Sequence, residues 1–346
     1  MHRRAVIAVI VVCAILPLAL LGCGGGSTFK APGVVGAATF VGRAVCAVCH
    51  AAIDAQYSTQ NHGLDFRVVH GDQIDGYGGA CAPCHSTGFG EASGFVLGGS
   101  TPHLEGIGCE ECHGPGSKHA AAPSHDNINR VPRAEDTCWD CHVPDYKMLR
   151  GSVGAKTDVM LANTAPGSVA VHHPQATFLL GKLGYNLTDM PGPHRFVDNT
   201  CTTCHLNPDP TSIPLQVGAA AARVNHNDDS LHADLGTCTK CHSSDLRIKE
   251  ELEELEEEIN KELIEIGGAD PLNPSHPDHA AGGGLLAAYA VAHGIDLTTN
   301  ADPTDRSVRR YKAARWNYMY VIAGIAVHNP PFAEKLIEDA KDRLSR

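Results

Sequence analysis

One five-residue pattern constrains this chain more than any other feature. C-x-x-C-H occurs six times: Cys46-Cys49-His50, Cys81-Cys84-His85, Cys109-Cys112-His113, Cys138-Cys141-His142, Cys201-Cys204-His205 and Cys238-Cys241-His242. Of the 14 cysteines, only Cys13 and Cys23 stand outside it. The order of residue types is chemical. Two thiols separated by two residues reach the vinyl groups along one porphyrin edge and bond as thioethers, and the adjacent histidine turns inward as the proximal iron ligand. Zinc ribbons, disulfide frameworks and thioredoxin-like pairs also use C-x-x-C, but none requires a histidine at the next position. Six repeats with no orphan cysteine among them point to six covalently bound haem c groups.

The composition fits that reading. Only 5% of the 346 residues are aromatic, against 36 Gly and 21 Pro, which is thin material for a conventional core of this size. Haem faces would supply the missing apolar area, and the apo chain is expected to be largely unfolded. The stretch 106–120, "GIGCEECHGPGSKHA", has Ile107 as its one bulky apolar residue, and its glycines let the backbone turn where a flat macrocycle approaches. A net charge of −12 argues against nucleic acid, whose binding needs clustered Lys and Arg. The predicted fold class is mainly α with extensive coil: a multihaem cytochrome c fold wrapped around six haems, with a C-terminal long-helix hairpin.

The first residues read as an address. "MHRR" is a positive n-region, residues 5–21 form an apolar run, and "LLGC" closes it at Cys23, the pattern of an export signal over 1–22. "LLGC" resembles a bacterial lipobox, which implies cleavage before Cys23 and lipidation of its thiol. Residues 23–42, with "GGGST", then form a flexible tether. Loss of Arg3 and Arg4 with the signal takes the net charge from −12 to −14. The expected location is outside the cytoplasm, as a membrane-tethered lipoprotein in the periplasm or on the outer membrane or cell surface.

Each haem iron has a sixth position. Besides His2 and the motif histidines, 14 of the 21 histidines remain, more than six irons can use. Methionine is scarce after the signal, at Met148, Met160, Met190 and Met319 only. Bis-histidine irons of low potential are therefore expected. His103, His194 and His232 precede the next motif by six, seven and six residues, a weak internal repeat, and His119 directly follows the glycine-rich third motif.

Several stretches resemble the multihaem c cytochromes related to the tetrahaem partner of hydroxylamine oxidoreductase and to the pentahaem nitrite reductases. They are "CAVCHAAIDAQYSTQNHG", "CAPCHSTGF", "GIGCEECHGPGSKHA", "HHPQATFLLGKLGY", the His194 approach to "CTTCH", and "RWNYMYVIAGIAVHNPPFAEKLI". The resemblance implies distal iron ligands at His62, His119 and His328. By similar placement His103, His194 and His226 complete the set, with His172, His173 and His232 in reserve. The nitrite reductases place a lysine after one C-x-x-C pair to free a catalytic haem, whereas all six motifs here end in histidine.

Motif-bearing residues 43–245 form the expected hexahaem domain and residues 246–346 a haem-free helical region. Ile248, Leu252, Leu255, Ile259, Leu263 and Ile266 recur at three- and four-residue spacings and predict an amphipathic helix over 244–266 with a strongly acidic outer face. A solvated face is the ordinary meaning of such a charge run, and docking of a basic redox partner is the sharper one. A second long helix is predicted over about 305–326, with His328 returning the chain to a haem. The two long helices would pack antiparallel or pair between subunits.

Three functions follow. An electron carrier needs only closely spaced, six-coordinate haems. An enzyme acting on a small nitrogen or sulfur compound needs one five-coordinate haem with a proton donor beside it. A subunit of an extracellular cytochrome filament needs a histidine that ligates a haem of the next copy. The histidine surplus and the absence of a C-x-x-C-K motif favour the carrier, with redox proteins as its partners.

Overall fold

The computed structural model describes residues 38–58, 62–63, 81–128, 137–142, 163–169, 171, 173–205, 241–242, 247–268 and 283–346. The signal, Cys23, His172, His226, His232 and Cys238 lie outside these residues. The described part belongs to one compact unit, Ala37–Arg346. It is helical, and among the described residues there is no strand, only isolated bridges at Ser86.

The motif-bearing part is built from short helices: α1 (Arg43–Ala47), α2 (Ala51–Tyr57), α3 (Ala82–His85), α4 (Cys109–His113), α5 (Ser117–Ala121), α6 (Trp139–His142), α7 (Gln175–Leu179) and α8 (Thr200–His205). Isolated helices of this length are unstable in water, so each depends on what it packs against. Among the described residues around α1 to α4, the buried apolar cluster consists of Phe40, Ala82, Phe95 and Leu104.

The C-terminal part is different. It consists of α9 (Arg247–Gly267), α10 (Gly284–Ala292), α11 (Arg306–Gly324) and α12 (Pro330–Leu344). Ile259, Leu263 and Ile266 of α9, Leu286 and Tyr289 of α10, and Phe332, Leu336 and Ile337 of α12 close around Tyr311, Trp316, Tyr318 and Tyr320 of α11. The two long helices meet, but α11 packs most extensively on α12, while α9 lies mainly against α10 and α12. The final helix is thus a principal neighbour of both. Along the apolar stripe of α9, Leu252 and Leu255 are half-buried and Ile259, Leu263 and Ile266 buried, while Glu250, Glu251, Glu253, Glu254, Glu256, Glu257 and Glu258 remain exposed. Lys341 of α12 pairs with Glu262 and, at 2.6 Å, with Glu265.

Side chains of α11 tie this bundle to residues 169–185. Arg315 Nε donates to Val169 O (2.9 Å), Trp316 Nε1 to Leu183 O (2.9 Å) and Tyr320 Oη to Thr177 Oγ1 (2.7 Å). Asn317 Oδ1 accepts from Tyr185 N at 2.8 Å. Buried Asn329 caps α12 and donates through Nδ2 to Met190 O at 2.7 Å and Phe178 O at 3.2 Å. These bonds hold α7, and the histidines flanking it, on the end of α11.

Candidate haem sites

Each described motif folds as one helical turn. Residues i, i+3 and i+4 share a helix face, so the turn turns both thiols and the imidazole the same way. His50 N donates to Cys46 O and His85 N to Cys81 O, both at 3.0 Å. After the third motif Gly114 has φ +74°, a left-handed conformation that ends α4 and releases the chain toward His119. Eleven of the motif cysteines are described and none is in a disulfide. Among the described residues no three His, Cys, Asp or Glu side chains converge as a zinc site requires.

Histidines distant in sequence meet in pairs. His50 faces His119 with ring centroids 6.0 Å apart, His85 faces His173 at 5.9 Å, and His205 faces His328 at 6.1 Å. His242 faces His194 at 6.2 Å. His142 has two neighbours, His62 at 5.8 Å and His173 at 5.7 Å. Two imidazoles bonded through Nε2 at about 2 Å to opposite sides of one iron, with about 1.1 Å from nitrogen to ring centre, have centroids about 6.2 Å apart. One such pair would pass for ordinary ring packing. Core rings such as Phe178 and Phe332 (5.4 Å) or Trp316 and Tyr320 (6.1 Å) stand at similar distances, so what marks the histidine pairs is their make-up: at five motifs the motif histidine faces another histidine remote from it in sequence.

The ring nitrogens agree. His119 Nδ1 lies 3.0 Å from Ser124 O, and His328 Nδ1 lies 2.8 Å from Gly324 O. A carbonyl can only accept, so each Nδ1 carries the proton and each Nε2 keeps a lone pair for a metal. Burial is the main cause that pushes the His328 pKa down to about 4, with the neighbouring His205 adding to it. His50 and His194 are lowered first by burial and then by His119 and His242 respectively. A neutral imidazole is the form that ligates. Buried His50 Nδ1, Thr137 Oγ1 and Trp139 Nε1, all at motifs one and four, lack hydrogen-bond partners, and haem propionates are acceptors of the kind they need. The residues present therefore fit covalently held, bis-histidine haem.

The motifs also touch one another. The Cys46 and Cys109 thiols are hydrogen-bonded, which raises the pKa of the first and lowers that of the second. Thr87, two residues past His85, donates to Gly106 O at 2.9 Å and accepts from Gly108 N at 2.8 Å, beside the third motif. Cys84 Sγ lies 3.9 Å from Asp140 O of the fourth.

Parts of the chain match known proteins. Residues 45–114 match the family described as "Cytochrome c554 and c-prime". The chain is 28% identical over 127 residues to "Cytochrome c-554" of Nitrosomonas europaea, a match covering 31% of this chain and 50% of that relative. The chain is a multihaem c-type cytochrome. Two solved structures are also similar to this cytochrome. They are the "Outer Cell Wall Cytochrome OcwA" (16% identity, TM-score 0.34, covering 88% of this chain and 99% of that one) and an "Undecaheme cytochrome from S-layer of Carboxydothermus ferrireducens" (15% identity, TM-score 0.31, covering 89% and 69%).

Of the distal histidines expected from sequence, the structure sets His62, His119, His194 and His328 against motif histidines. His103 stands elsewhere. It is exposed on a 3-10 turn, Pro102–Leu104, and so close to Gly42 that a Cβ there would come within 2.8 Å of its ring. Among the described residues no motif histidine lies against it. His173, held only in reserve, takes a place beside both His85 and His142. Gln175 and Asn329 were not anticipated, although "HHPQ" and "HNPP" adjoin the histidines they support.

Proposed function

We propose that this cytochrome carries six haem c groups with mostly bis-histidine iron and passes single electrons along them. On this reading it is exported and lipid-tethered at Cys23, and it links a membrane-side donor to a terminal reductase or an extracellular acceptor. The observation that carries the proposal is that at five motifs the motif histidine faces a second histidine distant in sequence, at a separation one iron could bridge. The preferred ligand pairs are His50 with His119, His85 with His173, His142 with His62, His205 with His328 and His242 with His194. His173 is given to His85 because His142 has His62 as well.

Bound haem would supply the one-electron couple. The chain's own contribution is to hold two neutral imidazoles per iron, exclude water and bring the motifs together. The contacts between motif segments support a relay in the order one, three, two, four, five, six. Motif one meets three at the thiols of Cys46 and Cys109, three meets two at Thr87, and two meets four at Cys84. Four adjoins five at the end of α11, where Gln175 joins His142 to Ala323 O and His328 Nδ1 donates to Gly324 O. Five adjoins six where Thr200 Oγ1 donates to His194 O at 3.2 Å. At the five paired motifs both histidines would be taken up by the iron, which leaves a substrate no place to bind there.

Low-temperature EPR of the oxidised holoprotein, with haem counted as pyridine haemochrome on the same sample, tests this. Six low-spin ferric haems are expected. A stoichiometric high-spin signal that responds to nitrite or hydroxylamine would replace the carrier with an enzyme, and polymerisation that rises with concentration would point to a filament.

A further inference from the structure

The end of α11 makes two contacts that a merely structural helix does not need. Gln175 spans the gap between this helix and the fourth motif: its Nε2 donates to Ala323 O at 2.9 Å, and its Oε1 lies 2.9 Å from His142 Nδ1. One residue further along α11, Gly324 O accepts from His328 Nδ1 at 2.8 Å, with Ile325 O at 3.2 Å.

Ala323 O is a carbonyl and only accepts, so the amide nitrogen of Gln175 must face it. The amide oxygen must then face His142, so His142 Nδ1 carries the proton and Nε2 is left bare. The same helix end fixes the tautomer of His328 directly. These carbonyls sit at the negative end of a 19-residue helix, where they are strong acceptors.

We propose that the C-terminal end of α11 is a shared tuning element for two haems, those of motifs four and five, with Gln175 as the positioning residue for the first. The inference rests on the bis-histidine reading above. An acceptor on Nδ1–H makes the imidazole a stronger electron donor and favours ferric iron, so it lowers the potential of that haem's one-electron couple. The electron itself passes between neighbouring haems and no bond to the protein forms or breaks. The haem-free helices thereby take part in setting the slope of the relay.

The test is a spectroelectrochemical titration of the six-haem protein and three variants, with EPR of each. Gln175→Leu removes the acceptor, and one of the six couples is expected to rise by about tenfold in the ferrous-to-ferric ratio at fixed potential, about 59 mV for one electron. Gln175→Glu places an anionic acceptor at the same point and should move the same couple the other way. Gly324→Ala acts on both haems. A Cβ there would lie 2.1 Å from Cδ2 of Phe178, a residue fully buried and unable to yield, so the helix end must shift. Two couples should then move together.

Opposite shifts for the two Gln175 variants support the proposal, because a general loosening of the fold would move both the same way. Unchanged couples, or shifts of one sign, in a parent whose haems are all low-spin would overturn this inference and leave the carrier reading intact. A high-spin haem at motif four or five of the parent would overturn both. If Gly324→Ala moved one couple only, the sharing would be refuted.

Discussion

Residues 38–128 carry three of the six motifs on short helices, and their described apolar cluster consists of Phe40, Ala82, Phe95 and Leu104. The helices from Arg247 to Leu344 carry no motif, yet with Phe178, Val169 and Val171 they share one core that buries Trp316, Tyr311, Tyr318, Tyr320 and Phe332. The low aromatic content of the whole chain hides this division. One region is a protein core in the ordinary sense, and the other has the short turns and paired histidines that covalent haem would complete. The two regions should respond differently to the loss of haem and to the loss of side chains.

The largest effect should come from the haem side. In Cys109→Ala with Cys112→Ala, pyridine haemochrome is expected to count five haems instead of six. Hydrogen exchange should show lost protection across residues 38–128, with α11 and α12 still protected. Equal loss in α11 and α12 would mean that the helical bundle depends on haem as well, and the contrast would collapse.

Phe332→Ala attacks the other core. Phe332 is fully buried against Phe178 and Tyr320, with ring centroids at 5.4 and 6.2 Å, so truncation should cost about 3–5 kcal/mol. A thermal melt should show this while the haem count stays at six. Asn329→Ala is expected to cost less, about 2–3 kcal/mol, from the lost cap of α12 and the carbonyls left without donors. Because Asn329 follows His328, its loss should also broaden the EPR signal of one low-spin haem more than the others.

Acidification acts at the boundary between the regions. Burial holds the His328 pKa at about 4, below its ordinary 6.5, so the unfolded chain binds a proton that the folded chain refuses. The stabilisation from neutral His328 is therefore complete above about pH 6.5 and is lost as pH falls from there toward 4. Melting temperature followed over that range should fall, and on the bis-histidine reading one low-spin haem should turn high-spin over the same range as the proton competes for His328.

The smallest effect is expected on the outer face of α9. Glu253, Glu256 and Glu257 are exposed, and replacing all three by Gln should change stability by no more than about 0.5 kcal/mol. If this face receives a basic redox partner, the same triple variant should lower the association rate and weaken its salt dependence in stopped-flow mixing.

Much of this molecule was legible before any fold was known. The spacing of the motifs is local chemistry, so the chain alone points to the cysteines and histidines that would hold haem. The acidic helix was also readable, because its apolar residues follow the helical period, and the structure runs it over Arg247–Gly267. The distal histidines were harder. The six-residue spacing before the next motif suggested His103, which the structure turns toward Gly42, while His173 stood only in reserve. Gln175 was invisible, since its meaning comes from Ala323 and His142, both remote from it in sequence.

What the sequence determined by itself is therefore the covalent and local part of the chemistry. Two cysteines and a histidine within five residues dictate a haem-binding turn wherever that turn is placed, because bond lengths and the helical period act over single residues. Tertiary structure alone decided which histidines face each other and which motifs touch. It also decided that the end of α11 reaches both His142 and His328. Those relations depend on packing, in which the shared core of α9 to α12 and the bonds from α11 to residues 169–185 bring distant segments to within a few ångströms.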